Sequence, residues 1–320
     1  MPQISIVIVT WNSERVLEDC VSSLFEHVPA ENFELILVDN HSTDPAYLNA
    51  YESRSNIHVI RNQENLGFAK AVNIGLRRAG GNYWLILNPD MIFVSNPFPR
   101  LLKELNGNPH IGVIGPLLYG TDGLPQVENF YPTLPTLWQF IAHRSLLAKL
   151  PVFRWLARRF FHAIIGAAGV YFVDQIPGAF LLFNKDLFGT GPVLEEAYFI
   201  WMEDVDFCRR VHDKGLKVAV VADERITHIG GTSFRMWDEA SKKLRFTRSY
   251  LTYLRLHFGF GAYLINVSVM LLNTLCIILV SPLFHAPSGL KKIRASLSLQ
   301  KKVLGLIFGD LIERLTPTRR

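Results

Sequence analysis

Short apolar segments alternate with amphipathic segments over the first hundred residues. The apolar segments are rich in β-branched residues and end in polar turns, which is typical of strands buried on both faces. Between them, apolar residues recur at helical spacing, as in Val16, Leu17, Cys20, Val21 and Leu24. This alternation predicts a parallel α/β fold.

The same pattern predicts where the elements lie. Strands are expected at 4–10, 33–38, 57–61 and 83–87. Ser13 is expected to cap the first helix, and further helices are predicted near 44–51 and 68–79. A second block has strand-like runs at 111–114, 180–183 and 218–221 and a helix holding 203–206. Because no basic leader or small-residue cleavage site precedes residue 4, we interpret the first run as a buried strand and not as a secretion signal.

Residues 134–172 interleave aromatic and basic side chains. Such a mixture suits an amphipathic insertion at a membrane interface, and it also suits a core helix with a solvated basic face. The residues concerned are Trp138, Phe140, Phe153, Trp155, Phe160 and Phe161, with Arg144, Lys149, Arg154, Arg158 and Arg159.

The C-terminal part changes character, because no charged residue occurs from 258 to 284. A run of this length exceeds the roughly 20 residues that cross a bilayer. Asn266, Asn273 and the glycines at 259 and 261 weaken the prediction of a full span. A spanning helix, a helix in the membrane interface and a buried core helix therefore all remain open.

A basic amphipathic helix is predicted after this run, and anionic cytoplasmic lipids attract such helices. Its basic residues are Lys291, Lys292, Arg294, Lys301 and Lys302, spread among Leu290, Ile293, Leu297, Val303, Leu304, Leu306 and Ile307.

Composition supports one enzyme-sized domain with an appendage. The chain has 320 residues, and single cores stop growing near roughly 250 to 300 residues. Charged residues make up 19 %, against about 25 % in ordinary soluble domains, which indicates a membrane contact. The net charge is +5, but the cations accompany apolar segments, which disfavours nucleic-acid binding. Three widely spaced cysteines predict no disulfide framework and fit a reducing compartment.

Polar clusters follow three of the predicted strands, at 10–12, 39–42 and 88–90. Ligands of open α/β sheets bind beyond the carboxyl ends of the strands, so three clusters at one edge indicate a site. Each cluster taken alone is equally compatible with an Asx turn or a helix cap.

Two residues are candidate ligands of a divalent cation. Asp90 follows an apolar strand and offers the hard oxygen ligand that a diphosphate-bound cation prefers. His228 follows another apolar run, and a neutral imidazole suits manganese better than magnesium. A lone histidine that is merely hydrogen-bonded remains the alternative for His228.

Two further motifs permit transfer chemistry. Glu203, Asp204 and Asp206 begin a helix, where one carboxylate suits a general base and all three also suit the helix dipole. Apolar neighbours at 199–202 favour a raised pKa there. Gly67, beside a helix start, lets backbone amides approach an anion, although a simple turn explains it equally.

Taken together, these clusters resemble family 2 glycosyltransferases of the GT-A fold, especially bacterial rhamnosyltransferase-like members. The matching segments keep the family's order and spacing from about residue 4 to 235, and the resemblance does not extend past about residue 250. They are 7–12, 38–44, 65–70, 87–90, 178–179, 203–206 and His228.

The resemblance implies a mixed, Rossmann-like nucleotide-binding sheet flanked by helices, and it implies a role for each matched residue. Thr10, Asn12 and Asp39 would bind the nucleoside. Asn65, Gly67 and Lys70 would lie near the ribose and diphosphate. Asp90 matches the last acid of the family's metal-binding motif, whose first acid is replaced here by Asn88. Asp204 matches the catalytic base, and Asp90 and His228 would hold Mn²⁺ or Mg²⁺.

The expected reaction is a single inverting displacement from a nucleoside-diphosphate sugar, with dTDP-rhamnose favoured and a UDP-hexose as the alternative. We expect a lipid-linked acceptor in cell-envelope polysaccharide synthesis, at the cytoplasmic face of the plasma membrane, with peripheral or single-helix attachment.

The expected organisation is a glycosyltransferase domain at 1–250, divided into nucleotide-binding (1–110) and acceptor (111–250) halves, and a helical membrane-associated tail at 251–320. The oligomeric state stays open, a homo-oligomer included.

Two other classes of protein fit the sequence less well. A nucleotidyltransferase would need a Gly-rich, basic phosphate loop after the first strand, and 10–12 offers none. A non-catalytic membrane scaffold is the other alternative, and it would keep its biological role in Asp204→Asn.

Overall fold

The computed structural model describes residues 3–126, 168–231, 237–285 and 290–315. These residues divide into two compact units. The first unit holds the described residues up to 231, and the second holds those from 237 onward. The predicted insertion at 134–172 lies outside the described residues up to 167.

Half of the sheet in the first unit is parallel, as predicted. Its strands are β1 (Ile4–Thr10), β2 (Phe33–Asp39), β3 (Ile57–Arg61) and β4 (Tyr83–Leu87). They lie in the order β3-β2-β1-β4, with every neighbouring pair parallel. All residues of β1 are buried, because helices cover both faces. All carboxyl ends therefore point to one edge.

The other half makes the sheet mixed. Its strands are β5 (Met91–Phe93), β6 (Ile111–Tyr119), β7 (Val170–Val173), β8 (Phe180–Asn184) and β9 (Lys217–His228). β8 pairs antiparallel with β4 and β6, and β9 lies parallel to β6 and antiparallel to β5 and β7. The described strands form one nine-stranded sheet. This mixed topology agrees with the one that the family resemblance implied.

The helices of the first unit are α1 (Glu14–His27), α2 (Phe68–Leu76), α3 (Phe98–Gly107) and α4 (Glu203–Asp213). Short 3₁₀ helices occur at Ala30–Asn32, Ala46–Tyr51 and Lys185–Phe188. Gly75 lets α2 pack closely on the sheet, because an added Cβ would lie 2.5 Å from Cγ1 of Val7.

Three local predictions need correction. The helix expected near 44–51 is a 3₁₀ helix that begins after Pro45. The helix expected to reach residue 79 ends at Leu76, where i→i+3 hydrogen bonds tighten the chain before Gly80. Ser13 precedes α1, but its hydroxyl bonds the backbone of Trp11 instead of capping the helix.

The second unit consists of helices α5 (Glu239–His257), α6 (Phe260–His285) and α7 (Leu290–Leu315). The predicted boundary at residue 250 falls within α5. In the described part of the chain, one helical segment, Phe260–Leu279, is long and apolar enough to cross a membrane. The apolar run predicted at 258–284 is thus helical, and the basic segment after it forms α7.

Candidate active site

The carboxyl edge of the parallel strands carries two of the predicted site residues, Thr10 and Asp39, in register, and a third, Asn88, beside them. Thr10 at the end of β1 pairs with Asp39 at the end of β2, which pairs with Arg61 at the end of β3. β4 lies on the other side of β1, so Asn88 leaves the sheet beside them. With strands about 4.8 Å apart, the ends of β2 and β4 are about 10 Å from each other.

Thr10, Asn12 and Asp39 are joined by a hydrogen-bond network. The N–H of Ser42 donates to both carboxylate oxygens of Asp39 at 3.2 Å, and its hydroxyl accepts the N–H of Asn12 at 2.8 Å. The hydroxyl of Tyr47 donates to Thr10 at 3.0 Å and lies 3.2 Å from the hydroxyl of Ser42. The loops after β1 and β2 are thereby fixed to each other.

Asn40 organises the loop that holds Asn65 and Gly67. Its side-chain amide donates to Oδ1 of Asn65 at 3.0 Å and to the carbonyl of Gly67 at 3.2 Å. Its own Oδ1 accepts the N–H of Leu66 at 3.0 Å and the amide of Asn62 at 3.1 Å. All donors and acceptors of this buried side chain therefore serve the loop before α2.

Gly67 is required at its position by close packing and by backbone conformation. Its φ is +83°, and an added Cβ would lie 2.5 Å from the carbonyl oxygen of Phe199. That carbonyl also accepts the N–H of Phe68 at 2.7 Å, at the first turn of α2. Lys70 follows in the same turn with an exposed side chain, and among the described contacts none joins it to the other predicted site residues.

Asp90 and His228 face each other. β5 pairs with the end of β9 so that Met91 lies opposite His228, and the carbonyl of Asp90 accepts the N–H of Ile229 at 3.0 Å. Nε2 of His228 is 3.5 Å from Oδ1 of Asp90, and both side chains are largely buried. Two residues that are distant in the chain thus bring a ring nitrogen and a carboxylate oxygen to the same small volume.

The partner of His228 on its other side is Gln126. Nε2 of Gln126 donates to the backbone carbonyl of His228 at 2.7 Å, and its Oε1 lies 2.8 Å from Nδ1 of the imidazole. Since Oε1 only accepts hydrogen bonds, Nδ1 carries the proton and donates it. The neutral tautomer with this proton has its lone pair on Nε2, the nitrogen that faces Asp90.

Asp204 lies in the first turn of α4, where its carboxylate accepts two backbone N–H groups. Gly178 donates to Oδ2 at 2.9 Å, and Val205 donates to Oδ1 at 2.8 Å. Burial raises the pKa of Asp204, and the bonds from Gly178 and Val205 lower it to a lesser degree. A Cβ on Gly178 would approach Cβ of Asp204 to 3.2 Å, so the glycine permits this contact.

The pair Asp90 and His228 is linked to the carboxylate of Asp204 by a short backbone path. The N–H of Asn88, two residues before Asp90, donates to the carbonyl of Ala179 at 3.0 Å. The neighbouring residue, Gly178, donates to Asp204. Asn88, Asp90, Asp204 and His228 are thus brought to one region, with Thr10 one strand away and Asp39 two strands away along the edge.

The three acids of α4 have different environments. Asp206 is buried and forms an ion pair with Arg210 at 2.7 Å, which gives it a structural role. Glu203 is buried, and its Oε2 has no hydrogen-bond partner among the described residues. Burial, followed by the charge of Asp204, raises the pKa of Glu203 well above its ordinary value. Asp204 is the least buried of the three carboxylates.

Strained backbone occurs at the same edge. In the described chain, positive φ at non-glycine residues is found at Asn12, His41, Trp201 and Met202. The first two lie in the loops after β1 and β2, and the other two directly precede α4. Such conformations cost about 1 to 3 kcal/mol each and cluster at functional sites.

The donor set fits a hard divalent cation that is bound partly by substrate. No group of three or more His, Cys, Asp or Glu side chains occurs within residues 3–126, 168–231, 237–285 and 290–315. Asp90 and His228 therefore supply two ligands at most from this set. Such cations commonly take one or two protein ligands and complete their coordination with phosphate oxygens and water.

Gln126 and Tyr47 were not identified from the sequence, whereas Asn40 was identified as part of the cluster 39–42 without a role of its own. Gln126 lies 102 residues from His228, and no spacing rule connects the two. Asn40 lies within the matched segment 38–44 and Tyr47 lies just after it, and only the hydrogen bonds across the strand ends show what these two side chains hold in place.

The sequence and the fold are similar to those of known glycosyltransferases. The sequence model of the family described as Glycosyl transferase family 2 matches residues 5–162. An N-acetylglucosaminyl-diphospho-decaprenol L-rhamnosyltransferase of Mycobacterium tuberculosis is 26 % identical over 237 residues, covering 70 % of this chain and 75 % of that protein. A mannosyltransferase from Pyrobaculum calidifontis, solved in complex with GDP-Man and Mn²⁺, has a TM-score of 0.54 at 14 % identity, covering 97 % of this chain and 87 % of that one.

A more distant relative extends the likeness to the second unit. The dolichyl N-acetyl-alpha-D-glucosaminyl phosphate 3-beta-D-2,3-diacetamido-2,3-dideoxy-beta-D-glucuronosyltransferase of Methanococcus voltae is 23 % identical, covering 97 % of this chain and 94 % of that protein. The expectation that the resemblance stops near residue 250 is therefore wrong. The chain belongs to glycosyl transferase family 2, has the GT-A fold, and is a glycosyltransferase with bacterial rhamnosyltransferase-like relatives.

Proposed function

We propose that this chain is a metal-dependent, inverting glycosyltransferase that moves a sugar from a nucleoside diphosphate to a hydroxyl of a lipid-linked glycan. The observation that carries the proposal is the short path from Asn88 through Ala179 and Gly178 to Asp204. It brings a carboxylate with a raised pKa into the same region as the pair Asp90 and His228.

The donor nucleotide is proposed to bind along the carboxyl edge. Thr10, Asn12 and Asp39 would contact the nucleoside, and their loops are held in place by Ser42 and Tyr47. Asn65, Gly67 and Lys70 would lie near the ribose and diphosphate. Two features support this assignment: the Asn40 network fixes the loop before α2, and the helix N-terminus favours negative charge.

Asp90 and His228 would hold Mn²⁺ or Mg²⁺, with Asn88 beside them. When bound, the cation would stabilise the negative charge that develops on the leaving diphosphate. Asp90 supplies an anionic oxygen, and His228 supplies the Nε2 lone pair that Gln126 orients. A partly buried position strengthens the attraction between these ligands and the cation.

Asp204 would remove the proton of the acceptor hydroxyl as that oxygen attacks the anomeric carbon from the face opposite the diphosphate. The product then has the inverted configuration. A carboxylate with a raised pKa accepts a proton more readily near neutral pH, and the N–H groups of Gly178 and Val205 keep its position.

The favoured donor is dTDP-rhamnose, because the Mycobacterium tuberculosis relative is an L-rhamnosyltransferase. A UDP-hexose is the alternative donor. A lipid-linked acceptor is favoured because that relative's name includes diphospho-decaprenol and the Methanococcus voltae relative's name includes dolichyl. We assign the chemistry to the first unit and a contact with the cytoplasmic face of the plasma membrane to the helices of the second.

A thermal-shift panel of dTDP-rhamnose, dTDP, UDP-glucose and GDP-mannose, each with and without Mn²⁺, tests the donor and the metal together. A ligand at 100 times its Kd stabilises the native state by about 2.7 kcal/mol, so the correct nucleotide should raise Tm. We expect the largest rise with dTDP-rhamnose plus Mn²⁺ and a much smaller rise in Asp90→Asn. A rise of equal size with and without Mn²⁺ would contradict metal dependence.

A further inference from the structure

Large exposed apolar side chains are concentrated in the second unit. Of the exposed large hydrophobic residues in the described chain, most lie on α5, α6 and α7. They are Leu256, Phe260, Ile265, Leu272, Leu275, Leu279, Phe308, Ile312 and Leu315. An apolar surface of this kind on one helical unit indicates contact with a protein or a membrane.

On α6 these residues form a stripe along one face. Ile265, Leu272 and Leu279 follow at seven-residue intervals and are 55 %, 63 % and 75 % exposed. Tyr263 and Val267 lie on the opposite face and are buried. The stripe continues over the length of the segment that is apolar enough to cross a membrane.

α6 and α7 run antiparallel, and their polar contacts set the register. The hydroxyl of Tyr263, near the start of α6, donates to Asp310, near the end of α7, at 2.5 Å. Arg314 donates to the carbonyls of Arg255 and Phe258 at 3.0 and 3.1 Å, just before α6 begins. Leu272 comes nine residues after Tyr263, and Lys301 comes nine residues before Asp310. Because the helices are antiparallel, Leu272 lies level with Lys301.

This register places charge beside the middle of the apolar segment. Lys301 and Lys302 are exposed on α7, and Arg294 lies further along the same helix, also exposed. If α6 crossed a bilayer, its antiparallel partner would carry Lys301 and Lys302 to the hydrocarbon centre. Charged side chains are costly at that depth.

The charges suit a flat orientation instead. Arg294, Lys301, Phe308 and Leu315 follow at seven-residue intervals on α7, so basic and apolar side chains share one side of the helix. The acids of α7, Asp310 and Glu313, both pair with Arg255. The positive charge of Lys301, Lys302 and Arg294 therefore remains available to anionic headgroups.

We propose that α6 and α7 lie flat in the interface of an anionic lipid membrane, with the Ile265, Leu272 and Leu279 stripe in the acyl region, and that α6 does not cross the bilayer. The inference rests on the membrane contact in the proposed function and adds its orientation. Helices of this type bury an apolar face about 5 to 10 Å below the headgroups while their basic residues stay at the surface.

Spin labels on full-length protein test the orientation. Ile265→Cys, Leu272→Cys and Leu279→Cys are each made in a Cys276→Ser background. The two other cysteines are buried, and burial raises the pKa of Cys20 to about 12, so both should stay unlabelled. Label depth is measured by power saturation on vesicles of phosphatidylglycerol and phosphatidylcholine.

A flat helix predicts nearly equal, shallow depths at the three positions. A spanning helix predicts that neighbouring positions differ by about 10 Å, since seven residues rise about 10 Å along a helix. A label at Leu272 that is far deeper than both others would overturn the inference while leaving the membrane contact of the proposed function intact.

Vesicle sedimentation tests the role of charge. We expect the wild type to bind anionic vesicles at least tenfold more tightly than pure phosphatidylcholine vesicles, and Lys301→Gln/Lys302→Gln to lose most of that difference. Lys103→Gln/Lys217→Gln, which removes the same charge from exposed positions of the first unit, is the matched control. Absence of binding to either vesicle would overturn both the orientation and the membrane contact. Sugar transfer to a water-soluble acceptor would then test the proposed chemistry separately.

Discussion

Gln126 contacts His228 at two points, through its amide nitrogen to the backbone carbonyl and through its amide oxygen to Nδ1 of the ring. The first bond fixes which end of the amide faces the imidazole. The second then fixes the tautomer, so that Nε2 faces Asp90 with its lone pair. The side chain of Gln126 thereby orients a proposed metal ligand without being one itself.

Gln126→Leu should weaken Mn²⁺ binding about 10- to 100-fold, because groups that orient a ligating histidine have effects of that size. The affinity is measured by titration of free Mn²⁺ with electron paramagnetic resonance. Gln3→Leu is the control, since Gln3 is exposed at the amino end of β1, away from the site. Equal Mn²⁺ affinity in Gln126→Leu and wild type would show that the contact has no role in metal binding.

Asp204→Asn should reduce kcat about 10²- to 10⁴-fold, the usual contribution of a general base, and should leave nucleotide binding nearly unchanged. Sugar transfer is measured with donor and acceptor at saturation, and Kd of the donor by calorimetry. Asp213→Asn is the control and should keep full activity. Asp213 lies at the other end of α4 and pairs with Arg209 on the surface. If Asp204→Asn retained wild-type turnover, the non-catalytic scaffold would become the better interpretation.

Gly67→Ala should destabilise the protein by about 1 to 3 kcal/mol, the usual cost of overpacking, because the new Cβ meets the carbonyl oxygen of Phe199. The residue also has a positive φ that alanine adopts poorly. Denaturant unfolding gives the free-energy difference. Gly107→Ala provides the comparison, since no atom lies within 4 Å of its Cβ position, and it should change stability little. Similar losses in both variants would refute the packing explanation.

Glu203→Gln should stabilise the folded state at neutral pH. Burial raises the pKa of Glu203 in the folded protein, whereas in the unfolded chain the pKa is about 4.3. Between those two values the folded state keeps a proton that the unfolded chain has released, so stability falls as pH rises through this window. Glu203→Gln has no carboxyl to titrate, so it does not lose this stability. Its Tm should exceed that of the wild type at neutral pH, and the difference should vanish below about pH 4. Glu31→Gln, at an exposed acid, is the control, and an advantage that does not vary with pH would contradict this account.

The parallel half of the sheet was predictable from the sequence because buried strands are continuous apolar runs. The predicted strands 4–10, 57–61 and 83–87 coincide with the observed ones. Helix ends were less predictable, since the 3₁₀ helix Ala46–Tyr51 depends on where its loop packs and not on periodicity. The mixed half followed from family resemblance, because no local pattern reveals that β8 pairs antiparallel with β4.

The candidate site was partly predictable for a related reason. Thr10 ends a predicted strand, and Asp39 and Asn88 directly follow predicted strands, so parallel pairing alone carries them to one edge. Only the family resemblance distinguished Asp204 from Glu203 and Asp206 as the expected catalytic base. The structure adds that its carboxylate accepts a hydrogen bond from Gly178. Lys70 and the roles of the nucleoside-binding residues remain predictions.

The sequence by itself determined the α/β class, the carboxyl-edge position of the polar clusters and the presence of a charge-free helix, because each depends on short-range hydrophobic periodicity. Only the tertiary structure decided that Gln126 orients His228 and that Lys301 lies level with Leu272. Contacts between residues far apart in the chain depend on strand order and helix register. These are set by the packing of the whole fold and leave no periodic signal in the sequence.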